Sequence, residues 1–283
     1  MRLLTLNINS HSSKHEKEEY KRIIHEFADY VADEDIELFA IQECSQTHNE
    51  DVVDEKKLKN FVASDNQVPI KKDNCAYCID KILKEKGLEY EWTWTGAKFG
   101  YDIYDEGLAI FFKGKIKQAN AFYFSKSHNY NNWKSRKALC VKCIADNKNF
   151  IFYNLHMGWW NDQDEPFDKQ FDFLQEYFKN HNKDVDNVFL LGDFNSPANE
   201  KNGGYDYVKN FGWKDTYELA QKKDNGLSVL EEIDGWRDNE VDGMRIDYIW
   251  SLKEITVTKS EIVFNNINKP KISDHCGVKI EIQ

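Results

Sequence analysis

Only four prolines interrupt the 283 residues of this chain, and no Pro/Ser-rich linker, internal repeat or low-complexity tract divides it. One compact domain over residues 1–283 is therefore the simplest organisation. Long hydrophobic runs are missing as well. No stretch of about 18 consecutive apolar residues occurs, so no transmembrane helix and no membrane contact are expected. The opening MRLLTLNINS has one basic residue and a short apolar run that passes straight into polar residues. It lacks the length and the small-residue cleavage site of a secretory leader, and it reads as the first core strand of a cytoplasmic protein. Positive charge is in deficit: 38 Lys+Arg stand against 49 Asp+Glu, a formal net charge of −11. That disfavours nucleic acid as the main partner without excluding a local basic groove. Cysteine is sparse, six in all, with two CxxC pairs at 75–78 and 140–143. A spacing of three shares a face on a helix but points to opposite faces on a strand, so the two pairs make a poor zinc cage and the thiols read as reduced.

What is present is pattern. Residues 2–8 form a short apolar run, expected to be a buried strand. Residues 16–34 carry Tyr20, Ile23, Ile24, Phe27, Tyr30 and Val31 at helical spacing. A second strand covers 37–42, and the polar stretch 45–72 reads as a long loop or insertion. A helix over 74–87 stops at Gly87. Strands are expected at 89–95, 107–113, 119–124, 136–145 and 149–155. A helix follows over 166–181, with Pro166 where its missing N–H costs little. Further strands are expected at 187–192, 245–250, 255–264 and 276–282. Strands come in pairs, interrupted by helices without strict βαβ alternation, which favours a layered α+β architecture.

Polar residues sit where the hydrophobic strands end. Asn7 ends the first and Glu43 the second. Asn154 and His156 end FYNLHMG, and Asp193 and Asn195 follow in LLGDFN. Asp247 lies in RIDYIW, and Asp274 and His275 precede the last strand in SDHCGV. Strand ends along one sandwich edge can gather these groups into one cleft. Their chemistry suits metal-assisted phosphate hydrolysis: Mg²⁺ takes oxygen ligands and keeps waters and phosphate oxygens, and Glu43 supplies a carboxylate. A histidine held by a carboxylate can accept a proton from water near neutral pH, with Asp247 the candidate partner for His275. His156 can stabilise charge building on phosphorus. Taken singly, each has a plain alternative: GDFN as a turn, SDH as a loop cap, Asn7 as a buried hydrogen-bonded amide, His156 as structural. The specificity lies in the ordered set.

As an ordered set, LNIN, IQEC, NLHMG, LLGDFNSPA, RIDYIW and SDHCGV resemble the motifs of the endonuclease/exonuclease/phosphatase superfamily, over residues 5 to 278. That group includes deoxyribonuclease, abasic-site endonucleases, inositol-phosphate 5-phosphatases and bacterial neutral sphingomyelinases. The resemblance implies a four-layer αββα sandwich of two packed mixed sheets flanked by helices, and dependence on Mg²⁺, with Mn²⁺ a possible substitute. It also implies roles: Glu43 on the metal with Asn7 beside it and Asp274 as a metal-side carboxylate. Asp193 and Asn195 would hold the nucleophilic water and the phosphate. His275 would be base or phosphate ligand, Asp247 its orienter, and His156 a transition-state stabiliser.

YDIYDEGLAIF (101–111), SRKALC (135–140), HMGWWNDQDEPF (156–167) and DGWRDN (234–239) resemble, more loosely, small bacterial maltose 6′-phosphate phosphatases. The implied substrate is a small phosphorylated sugar. Trp159, Trp160 and Trp236 could stack on a sugar face, Arg136 could grip the phosphate, and Glu106, with Asp102, Asp105, Asp162 and Asp164, could accept from hydroxyls. These tryptophans could equally cap the core, and the acids could form a solvated rim. The competing readings are a phosphodiesterase, either a nuclease or sphingomyelinase-like, and a non-enzymatic binding protein with a decayed site. A nuclease would need a basic groove, which the Lys-rich stretches 113–117 and 126–137 leave possible. A sphingomyelinase would need an exposed apolar hairpin. A decayed site would lack competent residues, yet every expected catalytic position is filled.

Overall fold

A computed structural model describes residues 1–13, 16–64, 68–182, 185, 187–233 and 243–283. In chain order the elements are β1 (Arg2–Asn7), α1 (Ser10–Ser13), α2 (Lys17–Asp33), β2 (Leu38–Gln42), β3 (Gln46–Thr47), α3 (Cys75–Glu85), β4 (Glu91–Gly100), β5 (Tyr104–Phe112), β6 (Ile116–Tyr123), β7 (Lys137–Ala145) and β8 (Lys148–His156). They continue with α4 (Phe167–His181), β9 (Asn187–Asp193), α5 (Gly204–Asn210), β10 (Lys214–Asp215), α6 (Thr216–Leu219), β11 (Lys222–Lys223), β12 (Asp247–Ser251), β13 (Val257–Val263) and β14 (Gly277–Ile282). No helix among the described residues is long and apolar enough to cross a membrane.

The strands form two sheets. One runs β11-β13-β14-β1-β2-β5-β3 with β4 also paired to β5; the other runs β10-β12-β9-β8-β7-β6. Two parallel pairs, β1/β2 and β8/β9, are bridged by α2 and α4, because a parallel connection needs a crossover element. The remaining pairs are mostly antiparallel, so both sheets are mixed. Period-two alternation then sorts the side chains. On the first sheet Leu4, Leu6, Phe39, Ile41 and Phe111 point outward against Phe27, Val31, Ile79 and Leu83 of α2 and α3. Leu3, Leu38, Ala40, Leu108 and Ile110 point inward, against Leu139, Val141, Phe152, Phe189, Leu191 and Ile249 of the second sheet. The outer face of that sheet, Tyr153, Leu155, Leu190 and Trp250, is covered by Phe167, Phe171, Leu174 and Val208 of α4 and α5. Helix, sheet, sheet, helix is the αββα sandwich expected.

Cys140 joins the outer core and Cys143 the inner one, as a strand spacing of three requires. The stretch 45–72 is more integrated than a free loop. β3 pairs with β5, Val53 and Ile70 are buried, and the Phe61 ring packs 4.7 Å from that of Trp92. Polar sequence hid this, because a few buried anchors secure a segment whose other described residues are mostly exposed or half-buried.

Candidate active site

The inward stripe of both sheets changes character toward one end. Above the apolar interface lies a buried amide layer. Gln42 donates to Asn154 Oδ1 at 2.6 Å and to Thr5 Oγ1 at 3.0 Å, while Asn154 donates to the carbonyls of Ile41 and Ala109. These bonds join the sheets across the core, so Asn154 is a cross-sheet tie. One inward position further along come Asn7, Glu106, His156, Asp193 and Asp247. Register aligns three of them: His156 pairs with Asp193, and Asp193 with Asp247.

Glu43 follows β2, where continued alternation would send it among the helix-side residues with Phe39 and Ile41. Its φ of +50° breaks the strand and turns the carboxylate into the cleft. Such a conformation in a non-glycine residue is unfavourable and recurs at functional sites. Asn195 has φ +45°. Its N–H donates to Asp193 Oδ1 at 2.8 Å and its side chain to Met157 O at 3.0 Å. His275 is held by a loop tied to both sheets. Ser273 Oγ donates to Asn7 O at 2.6 Å, and the Cys276 N–H donates to Ser228 O at 2.6 Å. The same Ser228 accepts, through Oγ, from the N–H groups of Ile246 and Asp247.

Asp193 Oδ2 is the point of convergence. It accepts from Asn7 Nδ2 at 3.1 Å, with His156 Nε2 at 3.7 Å and His275 Nε2 at 3.8 Å. Asn7 Nδ2 also donates to Glu43 Oε1 at 2.9 Å. His275 Nδ1 lies 2.8 Å from Asp247 Oδ2. Burial opposes charge on His275, but the Asp247 and Asp193 carboxylates outweigh it and raise its pKa to about 10. Burial and the neighbouring Asp247 raise Asp193 to about 6. Burial, then Arg136 and Lys98, push His156 well below the usual histidine value. Burial and the nearby Glu106 and Asp274 raise Glu43 to about 8.

The cleft, of about 290 Å³, is lined by Glu43, Glu106, Arg136, His156, Trp159, Asp193, Asn195, Asp274 and His275 from the set expected on sequence grounds. Asn9, His11, Lys98, Tyr101, Trp133 and Ile233 line it too and were not anticipated. Ligand atoms of His11, Glu43 and Glu106 come within 4.8 Å of one another, as do those of Asp193, Asp247 and His275. One of the expected residues lies elsewhere. The Trp160 ring turns away to pack on Phe167 and Tyr207, at 5.8 and 5.6 Å, closing the outer core and not the cleft. Trp236 lies outside the described residues. Among the acids, Asp105 is buried behind the cleft with His48, Tyr130 and Gln46. Asp162 and Asp164 both engage Lys134.

The donor set fits a divalent cation. Glu43, Glu106 and Asp274 crowd one region, and Glu43 holds its proton to unusually high pH because it is buried and has the other two carboxylates beside it. An oxygen-rich group of that kind matches Mg²⁺ or Mn²⁺.

Clustered carboxylates, histidine–aspartate pair and two-sheet sandwich together are the construction of a phosphoesterase. The chain belongs to the Endonuclease/Exonuclease/phosphatase family, whose model matches residues 4–275. It is a phosphoric ester hydrolase. An endonuclease/exonuclease/phosphatase family protein of Leptotrichia buccalis superposes with TM-score 0.85 at 28% identity, covering 100% of this chain and 99% of that one. A mannosyl-6-phosphatase of Bacteroides thetaiotaomicron gives 0.69 at 20% identity, with 100% and 99% covered. A Neisseria 3′ phosphatase, bound to a product DNA hairpin, gives 0.61 at 14% identity, again with 100% and 99% covered. No curated protein matches the chain in sequence.

Proposed function

We propose that the protein is a cytoplasmic, Mg²⁺-dependent phosphatase that hydrolyses the phosphate monoester of a small phosphorylated sugar, with maltose 6′-phosphate the specific candidate. The observation that carries this reading is the cleft. Its 290 Å³ lies at the lower end of small-ligand cavities and suits a phosphate and a sugar ring better than a duplex. Indole surface stands at its mouth: Trp133, about half exposed, lies 5.9 Å from Trp159. Trp159 Nε1 is buried with no partner among the described residues, a donor available to a hydroxyl. The similarity of fold to a mannosyl-6-phosphatase supports the same class.

In this reading Glu43 and Asp274 hold the cation, Asn7 orients Glu43, and His11 and Glu106 stand within reach. The cation, when bound, supplies positive charge to phosphate and leaving-group oxygens. Asp193, ionised near neutral pH, orients the attacking water and takes its proton. His275 is cationic at that pH, so it serves the phosphate and not as the base. It donates to a non-bridging oxygen from Nε2 while Asp247 fixes its ring. His156 stays neutral beside the two cations Arg136 and Lys98, and donates to the developing oxyanion. Asn195 completes the cradle.

The deciding experiment is phosphate release from maltose 6′-phosphate, glucose 6-phosphate and an inositol phosphate, alongside abasic DNA and sphingomyelin, with Mg²⁺ and with EDTA. EDTA-sensitive preference for the sugar phosphates is expected. Preference for DNA or lipid would overturn the substrate and leave the phosphoesterase standing.

A further inference from the structure

Lys98, Glu106 and Arg136 form one charged cluster in the cleft. They are 7, 7 and 5% exposed, and all three line the cavity. Lys98 faces inward through a local irregularity. Along β4, Thr93 and Thr95 point inward opposite Ile110 and Leu108, so strict alternation would turn position 98 outward toward the helices. The register shifts by one residue between Gly96 and Lys98, and Lys98 then pairs directly with Glu106 on β5. A bulge of this kind re-aims one side chain and is characteristic of strand ends beside active sites. The Lys98 ammonium lies 3.0 Å from Glu106.

That single carboxylate is shared between two cations. The cluster therefore sets two basic side chains against one carboxylate. Arg136 Nε, buried, has no hydrogen-bond partner among the described residues. A buried guanidinium nitrogen left unpaired is unfavourable unless an incoming group satisfies it. Glu43, Asp193 and Asp274 line the same cleft, so cation-holding carboxylates and anion-seeking basic groups share it.

A phosphate monoester has three unesterified oxygens and a second negative charge, lost only below about pH 6. A diester has two such oxygens and one charge. We propose that Lys98, presented by the β4 bulge, acts with Arg136 as the receptor for the third unesterified phosphate oxygen, and that this pair makes the enzyme select monoesters over diesters. A diester would have to direct its second organic group against two buried charges, an unfavourable contact that supplies the discrimination. This inference rests on the phosphoesterase reading above but not on the sugar.

The test compares p-nitrophenyl phosphate with methyl p-nitrophenyl phosphate, which share a leaving group, in wild type, Lys98→Met and Lys98→Arg. In Lys98→Met the monoester kcat/KM is expected to fall roughly 100-fold and the diester to change less than about threefold, as loss of one charge-assisted contact predicts. Inhibition by inorganic phosphate should weaken about tenfold or more in the same variant, with Lys98→Arg recovering most of both losses. Equal loss on both substrates, with phosphate inhibition unchanged, would show a merely structural lysine and overturn the proposal. So would a wild type that prefers the diester. If Lys98→Met does not fold, Arg136→Gln must give the same monoester-specific loss. A panel in which no sugar phosphate is turned over, while the aryl split holds, removes the sugar reading and leaves this inference intact.

Discussion

Glu43 is destabilising in the metal-free protein. Its carboxyl is raised to about 8 by burial and by Glu106 and Asp274, so the folded chain holds this proton more tightly than the unfolded one. Between the ordinary glutamate value and about pH 8 the folded state binds more protons, and its stability falls as pH rises through that window. Glu43→Gln is therefore expected to raise the metal-free melting temperature at pH 8 by roughly 5 °C, equivalent to about 2 kcal/mol, and to lack the further rise with Mg²⁺ that the proposed cation site predicts for the wild type. A variant that melts lower than wild type without metal would contradict the electrostatic origin of the shift. The His275–Asp247 pair makes a separate prediction. His275→Ala should lower kcat by roughly a thousandfold, and adding Asp247→Ala should lower it hardly further, because the two act as one unit. Losses that multiply would mean that Asp247 works elsewhere.

At the scale of the element, Gly192 is the clearest constraint. It sits at φ +140° just before Asp193, and a Cβ there would meet the Leu155 carbonyl oxygen at 1.9 Å. Gly192→Ala must push β8 from β9 and carry Asp193 with it. A destabilisation of about 3 kcal/mol or more and loss of most activity are expected in denaturant unfolding and turnover assays. Unaltered kinetics in a folded variant would show that the strands can shift without disturbing the site. Strand edges also explain what could be read from the chain beforehand. Asn7, His156 and Asp193 were visible because each ends an apolar run, and Asp247 because it opens one; alternation alone places them on one face. Lys98 was not, because a bulge reverses the alternation at that position. His11 lies in α1, four residues that are too short to show a helical period, and Trp133 belongs to an irregular loop. Trp160 was misplaced for the opposite reason. It adjoins Trp159 in a turn, where neighbours part company, and its ring found the outer core at Phe167. The sandwich itself was visible because the three long helices and most strands carry clean patterns; the short β3, β10 and β11 offer two residues each, too few for any period.

For the molecule as a whole, charge sets the approach of the substrate. The net charge of −11 repels a dianionic ester at long range, while the attraction of Lys98 and Arg136 is felt only inside the cleft. Salt screens the first more than the second, as the screening length falls from about 30 Å at 0.01 M to about 8 Å at 0.15 M. The kcat/KM for a sugar phosphate is expected to rise about twofold over that range, since screening removes long-range repulsion. A tenfold fall would instead reveal the basic groove of a nuclease.

The two-sheet construction of the site has a consequence for folding. β1 lies in the interior of its sheet between β2 and β14, and the loop that carries Asp274 and His275 leads directly into β14. Asn7 and His275 lie far apart in sequence, yet Ser273 of that loop bonds to Asn7 and both residues belong to one site. Until β14 has paired with β1, Glu43 and Asp193 lack the His275 donor beside them. The site is therefore complete only when the whole sandwich has closed, and no single hairpin or sheet carries it.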